Sequence, residues 1–354
     1  TAKPGTTNGV AIGSSSYIDS NQSIAIGYRS YASGTFLGGN IKPSLAIGAG
    51  ADARGNNTIS IGTVANNAAS YAVALGNESN VGSGADYGVA VGYGSSVSAQ
   101  QGIAIGTNTK STSSLAMAIG NGAQADGKDN KASGMIAIGQ DVLANNNNTI
   151  AMGIQAKATG NQAIAFGKIA NASGSGAFAL GQATNATSHG SIAMGNGAQS
   201  TGSGSTALGR TAQATKDGSV AVGFNAEATG DHAIAIGGDG KGAAYDNTNT
   251  TFAGLNEKTT ASAKNAVAIG HQATANIEGG VALGSESKTT VAAGVQGYNP
   301  ASDRTDKYST QAGAVGTSTL AAVSIGEGVT KTRQLTGLAA GTADTDAVNV
   351  AQLK

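Results

Sequence analysis

The residues able to do chemistry are few and scattered. His189, His232 and His271 are the three histidines of the 354-residue chain, and there is no Cys. A hydrolytic or metal centre needs several such groups converging on one point. In an extended repeat, His189 and His232 fall three repeats apart, or about 14 Å at strand spacing. They therefore read as surface side chains, and no metal or cofactor is expected. Ser is abundant, but nothing in the spacing points to a Ser-His-Asp arrangement. Gly237-Gly238-Asp239-Gly240 is similar to a calcium-binding nonapeptide repeat but occurs once, at the wrong period, and reads as a loop. No Gly-Lys-Ser/Thr phosphate loop is present. The chain is expected not to be an enzyme.

Composition narrows the class further. Gly accounts for 56 residues and Pro for 3, hydrophobic residues make up 40% and charged residues 11%, and there is no Trp. Gly at every third position is absent, which removes collagen. The apolar content is too high and the charge too low for simple disorder. Twenty basic and twenty acidic residues cancel, and the weakly charged surface argues against a nucleic-acid partner. No leader precedes the pattern at Thr1 and no apolar run reaches 18 residues, so the chain reads as a soluble excerpt of something longer.

What orders the chain is a repeat. An apolar-Ala-apolar-Gly core recurs 19 times, as in Val10-Ala11-Ile12-Gly13, Ile24-Ala25-Ile26-Gly27, Ile150-Ala151-Met152-Gly153, Ile164-Ala165-Phe166-Gly167 and Val220-Ala221-Val222-Gly223. Thirteen of the 18 intervals between closing glycines are 14 residues. Fourteen residues are too few for two helices but accommodate two strands of about five residues and two tight turns. Stacked in parallel, such units form a β-helix. Three and five residues after each closing Gly stand small side chains, such as Ala156 and Ala158, with polar residues such as Lys157 between them. This second strand has one buried and one wet face.

The first strand is apolar on both faces. If Ala packs against the small residues of the second strand, the bulky residues form an outward ridge too large for a soluble monomer to expose, and copies of the chain must cover it. On that basis Ile24, Ile26, Ile150, Ile164, Phe166, Val220, Val222, Ile234, Ile236, Val267 and Ile269 are candidate assembly-core residues. The alternative packing places the bulky residues inside each coil and Ala outside, giving a monomeric solenoid. A left-handed β-helix acyltransferase does not fit, because three faces of six residues do not make a period of 14.

The repeat resembles the YadA-like head of trimeric autotransporter adhesins, whose motif reads Asn-Ser-Val-Ala-Ile-Gly-x-x-Ser. Gln22-Ser23-Ile24-Ala25-Ile26-Gly27-Tyr28-Arg29-Ser30 carries it with Gln for Asn, and Asn265-Ala266-Val267-Ala268-Ile269-Gly270 with Ala for Ser. Near the C-terminus, Arg333-Gln334-Leu335-Thr336-Gly337 and Asp346-Ala347-Val348-Asn349-Val350-Ala351-Gln352-Leu353 resemble the neck that joins such a head to its stalk. Asp344, Thr345 and Asp346 are placed to cap a helix start, and Val350 and Leu353 to begin a coiled-coil seam.

The resemblance implies a homotrimer of left-handed parallel β-rolls, a coiled-coil stalk and an outer-membrane anchor further along the parent protein. Expected segments are a head over 1–288, a head insert and final coil over 289–326, and a neck over 327–354. From 19 coils the roll would be about 90 Å long. Implied partners are host matrix proteins such as collagen, fibronectin or laminin, or host receptors, with self-association a further expectation. A rigid spacer without a ligand is the competing class. Insertions at Thr35–Pro43, Asp126–Ala132, Gly238–Lys264 and Thr289–Gly316 are the expected protrusions. Their aromatics Tyr245, Phe252, Tyr298 and Tyr308 are candidate ligand contacts. The repeated coil face is a second candidate, since a linear array suits a long repetitive ligand.

Overall fold

The computed structural model describes residues 1–4, 6–34, 42–127, 133–238, 258–297, 316–343 and 345–353. The chain forms two compact units, Thr1–Met194 and Gly195–Lys354. Each is a parallel β-solenoid whose coils contain a three-residue and a two-residue strand, for example Ile150–Met152 and Lys157–Ala158 in the first unit. The strands are shorter than five residues because a turn closes each coil edge immediately beyond the inward-facing side chains.

Register is uniform within each unit. Ile150 pairs with Ile164, Ala151 with Ala165 and Met152 with Phe166 in the first unit; Val220 pairs with Ile234 and Ala221 with Ala235 in the second. Insertions do not disturb it. Ile24 pairs with Leu45, Met117 with Ile136, Ile234 with Val267 and Val281 with Val323. Like residues therefore stack on like, and each coil is held by hydrogen bonds to the coils before and after it.

The interior is almost entirely Ala, Ser and Thr. Ala151, Ala156, Ala158, Ala163 and Ala165 are fully buried, as are Ala221, Ala226 and Ala228 in the second unit. Ala thus faces inward and the bulky first-strand residues outward, which disposes of the inverted packing. The hydroxyl of Gly-x-x-Ser closes the first turn: Ser30 Oγ donates to the Gly27 carbonyl at 3.0 Å and Thr109 Oγ1 to that of Gly106 at 3.2 Å. Partly buried turn carbonyls gain a hydrogen-bond partner there.

Larger inward residues are matched by smaller ones opposite. Where Val97 replaces the usual Ala, Gly102 faces it; a Cβ built on Gly102 would meet Val97 Cγ1 at 2.7 Å. Asn67 is fully buried at an Ala position. Its amide nitrogen donates to the carbonyls of Ile59 and Ala72 at 3.1 and 2.8 Å, and its oxygen accepts from Ala69 N at 3.3 Å.

The inserts are shorter than the spacing suggested. Thr259 is buried and Thr260–Ala261 is a regular second strand pairing with Glu227–Ala228. Residues 258–264 therefore belong to the coil, not to the protrusion. Thr289 is likewise buried, its Oγ1 bonded to Asn276. The sequence interval between closing glycines includes the half-coil on each side of an insert, so counting intervals overstates its length.

Candidate interaction surfaces

Each coil presents four surfaces: an apolar face from the first strand, a polar face from the second, and two turn edges. On the apolar face Ile24, Ile26, Ile150, Ile164, Val220, Val222, Ile234, Val267 and Ile269 are half-buried in the single chain. Phe166 and Ile236 are 48% and 39% exposed. They stack in columns, coil upon coil, so each unit carries a largely apolar stripe along its first-strand face.

The second strand carries one outward residue per coil. In the first unit that column runs Tyr17, Tyr31, Asp52, Asn66, Asn80, Ser96 and onward through Lys157, Asn171 and Asn185. Tyr17 and Tyr31 stack with centroids 5.7 Å apart, and Arg54 lies over Tyr31 while pairing with Asp52 at 2.7 Å. Asn66 Nδ2 donates to Asn80 Oδ1 at 3.0 Å and Asn171 Nδ2 to Asn185 Oδ1 at 3.3 Å. These ladders exist because identical positions stack at strand spacing.

The residues expected to form the neck lie in the second unit. The Arg333 guanidinium donates to Ser287 Oγ at 3.0 Å, to Ser285 Oγ at 3.1 Å and to the carbonyls of Ser285 and Ile325. It rests against Gly284, where a Cβ would stand 3.1 Å from Arg333 Cζ. Lys331 pairs with Glu286 at 2.6 Å and Lys288 with Glu327 at 3.3 Å. The Lys331 ammonium, hydrogen-bonded to Glu286, lowers that carboxyl below its ordinary range. Gln334, Val348 and Val350 are exposed, and Asn349 Nδ2 donates to the Leu338 carbonyl at 3.2 Å.

A helix does form, Val350–Leu353, but Asp346 does not cap it. Its carboxylate turns back and accepts from the amides of Thr342 and Ala343 at 2.9 and 3.0 Å and from Thr342 Oγ1. These bonds, the backbone ones first, lower its pKa. The helix begins four residues further on, beyond the reach of that side chain. Leu353 lies in the helix, and Asp344 lies outside the described residues.

Tyr245, Phe252, Tyr298 and Tyr308 also lie outside the described residues. His189 and His232 are exposed. His271 is half-buried, and its Nε2 is enclosed without a hydrogen-bond partner. Among the described residues no group of three His, Asp or Glu could hold a metal ion.

The YadA head domain repeat family matches residues 20–36, 42–65, 83–109, 112–129, 144–168, 172–198, 200–226, 214–239 and 261–287, together more than half of the chain. The chain belongs to the YadA head-repeat family. The family described as the coiled stalk of trimeric autotransporter adhesin matches residues 334–354. The head is thus followed by a segment of the stalk type, beginning one residue after Arg333. Over 67 residues the head is 54% identical to the autotransporter adhesin BadA of Bartonella henselae, a match spanning 18% of this chain and 2% of that protein. The crystal structure of the collagen-binding domain of Yersinia adhesin YadA is similar over 74% of this chain and 82% of that one, at 24% identity and a TM-score of 0.20.

Proposed function

We propose that the chain is the exposed head of a bacterial cell-surface adhesin that assembles as a homotrimer and binds host matrix protein. The observation that carries this is the apolar stripe: eleven named positions, all on the outer side of the first strand and half-buried or exposed among the described residues. A stripe of that kind needs covering by identical copies, and family membership supplies the adhesive role. Collagen, fibronectin and laminin are the candidate ligands. In this reading residues 1–288 are the head, 289–326 an insert and final coil, and 327–354 the neck leading to a stalk. Trimers place three polar second-strand faces outward, so a fibrous ligand meets the same coil surface many times.

The test is binding of the purified chain, shown by light scattering to be trimeric, to immobilised collagen, fibronectin and laminin. Saturable binding to one of them is the expected result. A trimer that binds none of the three would leave a rigid spacer as the better account.

A further inference from the structure

We propose that the first unit carries a second kind of site, for a sugar bearing a single carboxylate, built across three consecutive coils by Gln155, Lys157, Ile169, Asn171, Ala183 and Asn185. These residues line a cavity of about 260 Å³ where the first turn meets the polar second-strand face. Its volume lies just below the range of drug-sized pockets and suits one small ring.

Three features assign the chemistry. Lys157 is exposed and forms no ion pair among the described residues, so its ammonium is available to an anion. Asn171 and Asn185 stand beside it at successive ladder positions, held by the bond from Asn171 Nδ2 to Asn185 Oδ1 at 3.3 Å. They offer fixed amide donors and acceptors of the kind that pair with ring hydroxyls.

The third feature is Ile169. It adopts φ +59°, a conformation rarely taken by β-branched residues, and is 47% exposed. The same positive φ recurs at this turn position in other coils, as at Gln155 and Ala183, so what marks Ile169 is its exposed apolar surface at the cavity rim. With Ala183, it forms the apolar wall that a C–H face of a pyranose would cover.

Charge restricts the ligand further. Asp141 occupies the same turn position one coil before Gln155, so a second anionic group on that side would be repelled. Lys168 precedes Ile169 on the turn but does not line the cavity. One cation inside and one carboxylate beyond it fit a singly charged sugar rather than a polysulfated chain. The cavity lies between the first turn and the second-strand face, and none of its lining residues belongs to the apolar stripe.

The inference depends on the adhesive reading only in that the head meets host surfaces, and the two are separable. The trimeric chain would be titrated by saturation-transfer NMR with the methyl glycosides of N-acetylneuraminic acid, glucuronic acid, galactose and 6-sulfogalactose. At least one carboxylated sugar is expected to bind about tenfold or more tightly than galactose, the scale of a charge-assisted hydrogen bond. Lys157→Gln should abolish that preference. Ala183→Gln should fill the cavity and weaken carboxylated-sugar binding about tenfold. Gln155 occupies the equivalent position at φ +57°, so the backbone accepts Gln there. Matrix-protein binding of the same variants should be unchanged. The site is refuted if galactose binds as well as the carboxylated sugars, if 6-sulfogalactose binds best, if no sugar binds, or if both variants behave as the parent.

Discussion

At the closing glycines from Gly13 to Gly284 the backbone takes positive φ values that favour glycine. Gly167 sits at φ +134°, and a Cβ there would lie 2.4 Å from the carbonyl oxygen of Gly181 in the next coil. Gly is needed twice over, for conformation and for clearance. Gly167→Ala is expected to cost about 3 kcal/mol or more in chemical denaturation. The second turn residue is subtler. Gln155, Ile169 and Thr211 all adopt φ near +55° to +60°, and their amides donate to the preceding coil, as Ile169 N does to the Ile154 carbonyl at 2.8 Å. The axial bond offsets the left-handed conformation, which explains why so many residue types are tolerated there.

Within the coil, the limiting quantity is interior volume. Two strands of two and three residues leave room for Ala against Ala, so any larger residue must be matched. Val97 is fully buried and Gly102 faces it. Gly102→Ala alone should destabilise by about 1–3 kcal/mol through overpacking, and Val97→Ala alone through a cavity. The double variant should be less destabilised than their sum, with a coupling of about 1 kcal/mol in a thermodynamic cycle.

The loop that Asp346 closes carries a pH dependence. Because the Asp346 carboxyl is held below its ordinary range by the Thr342 and Ala343 amides, its contribution is present above the unfolded value. It is lost as pH falls through the lower folded value. The protection of the Thr342 and Ala343 amides against hydrogen exchange, relative to the intrinsic rate at each pH, is therefore expected to fall as Asp346 protonates, and Asp346→Asn should show the reduced protection already at neutral pH.

For the whole molecule, the proposed assembly through the apolar stripe of each unit would make stability and assembly one property. A single chain exposes Phe166, Leu208, Ile236 and Leu283 by about two-fifths to a half, and a trimer would remove that surface from water. Ile164→Asp or Ile234→Asp should dissociate the trimer in sedimentation experiments, because a carboxylate buried in that stripe without a partner costs several kcal/mol. Trimers of unchanged mass and melting temperature would place the interface elsewhere. The melting temperature of the parent chain should also rise with concentration if the assembly dissociates on unfolding.

Much of this was legible beforehand because a stacked repeat writes its rules once per coil. The period of 14, the inward Ala and the polar second strand all follow from residues recurring at fixed spacing, and the coils reproduce them. Other features depended on neighbours far along the chain. Nothing local says that Thr260–Ala261 rejoins the coil, since only pairing with Glu227–Ala228 places it there. Nothing in Asp346 shows that it folds back on Thr342 instead of capping the helix at Val350. The Arg333 clamp joins residues 46 and 48 apart, and the cavity at Lys157 is assembled from three coils. Sequence alone determined the coil, because its pattern is local and repeated. Tertiary structure decided the ends, the inserts and the pocket, because their partners are fixed by stacking and not by spacing.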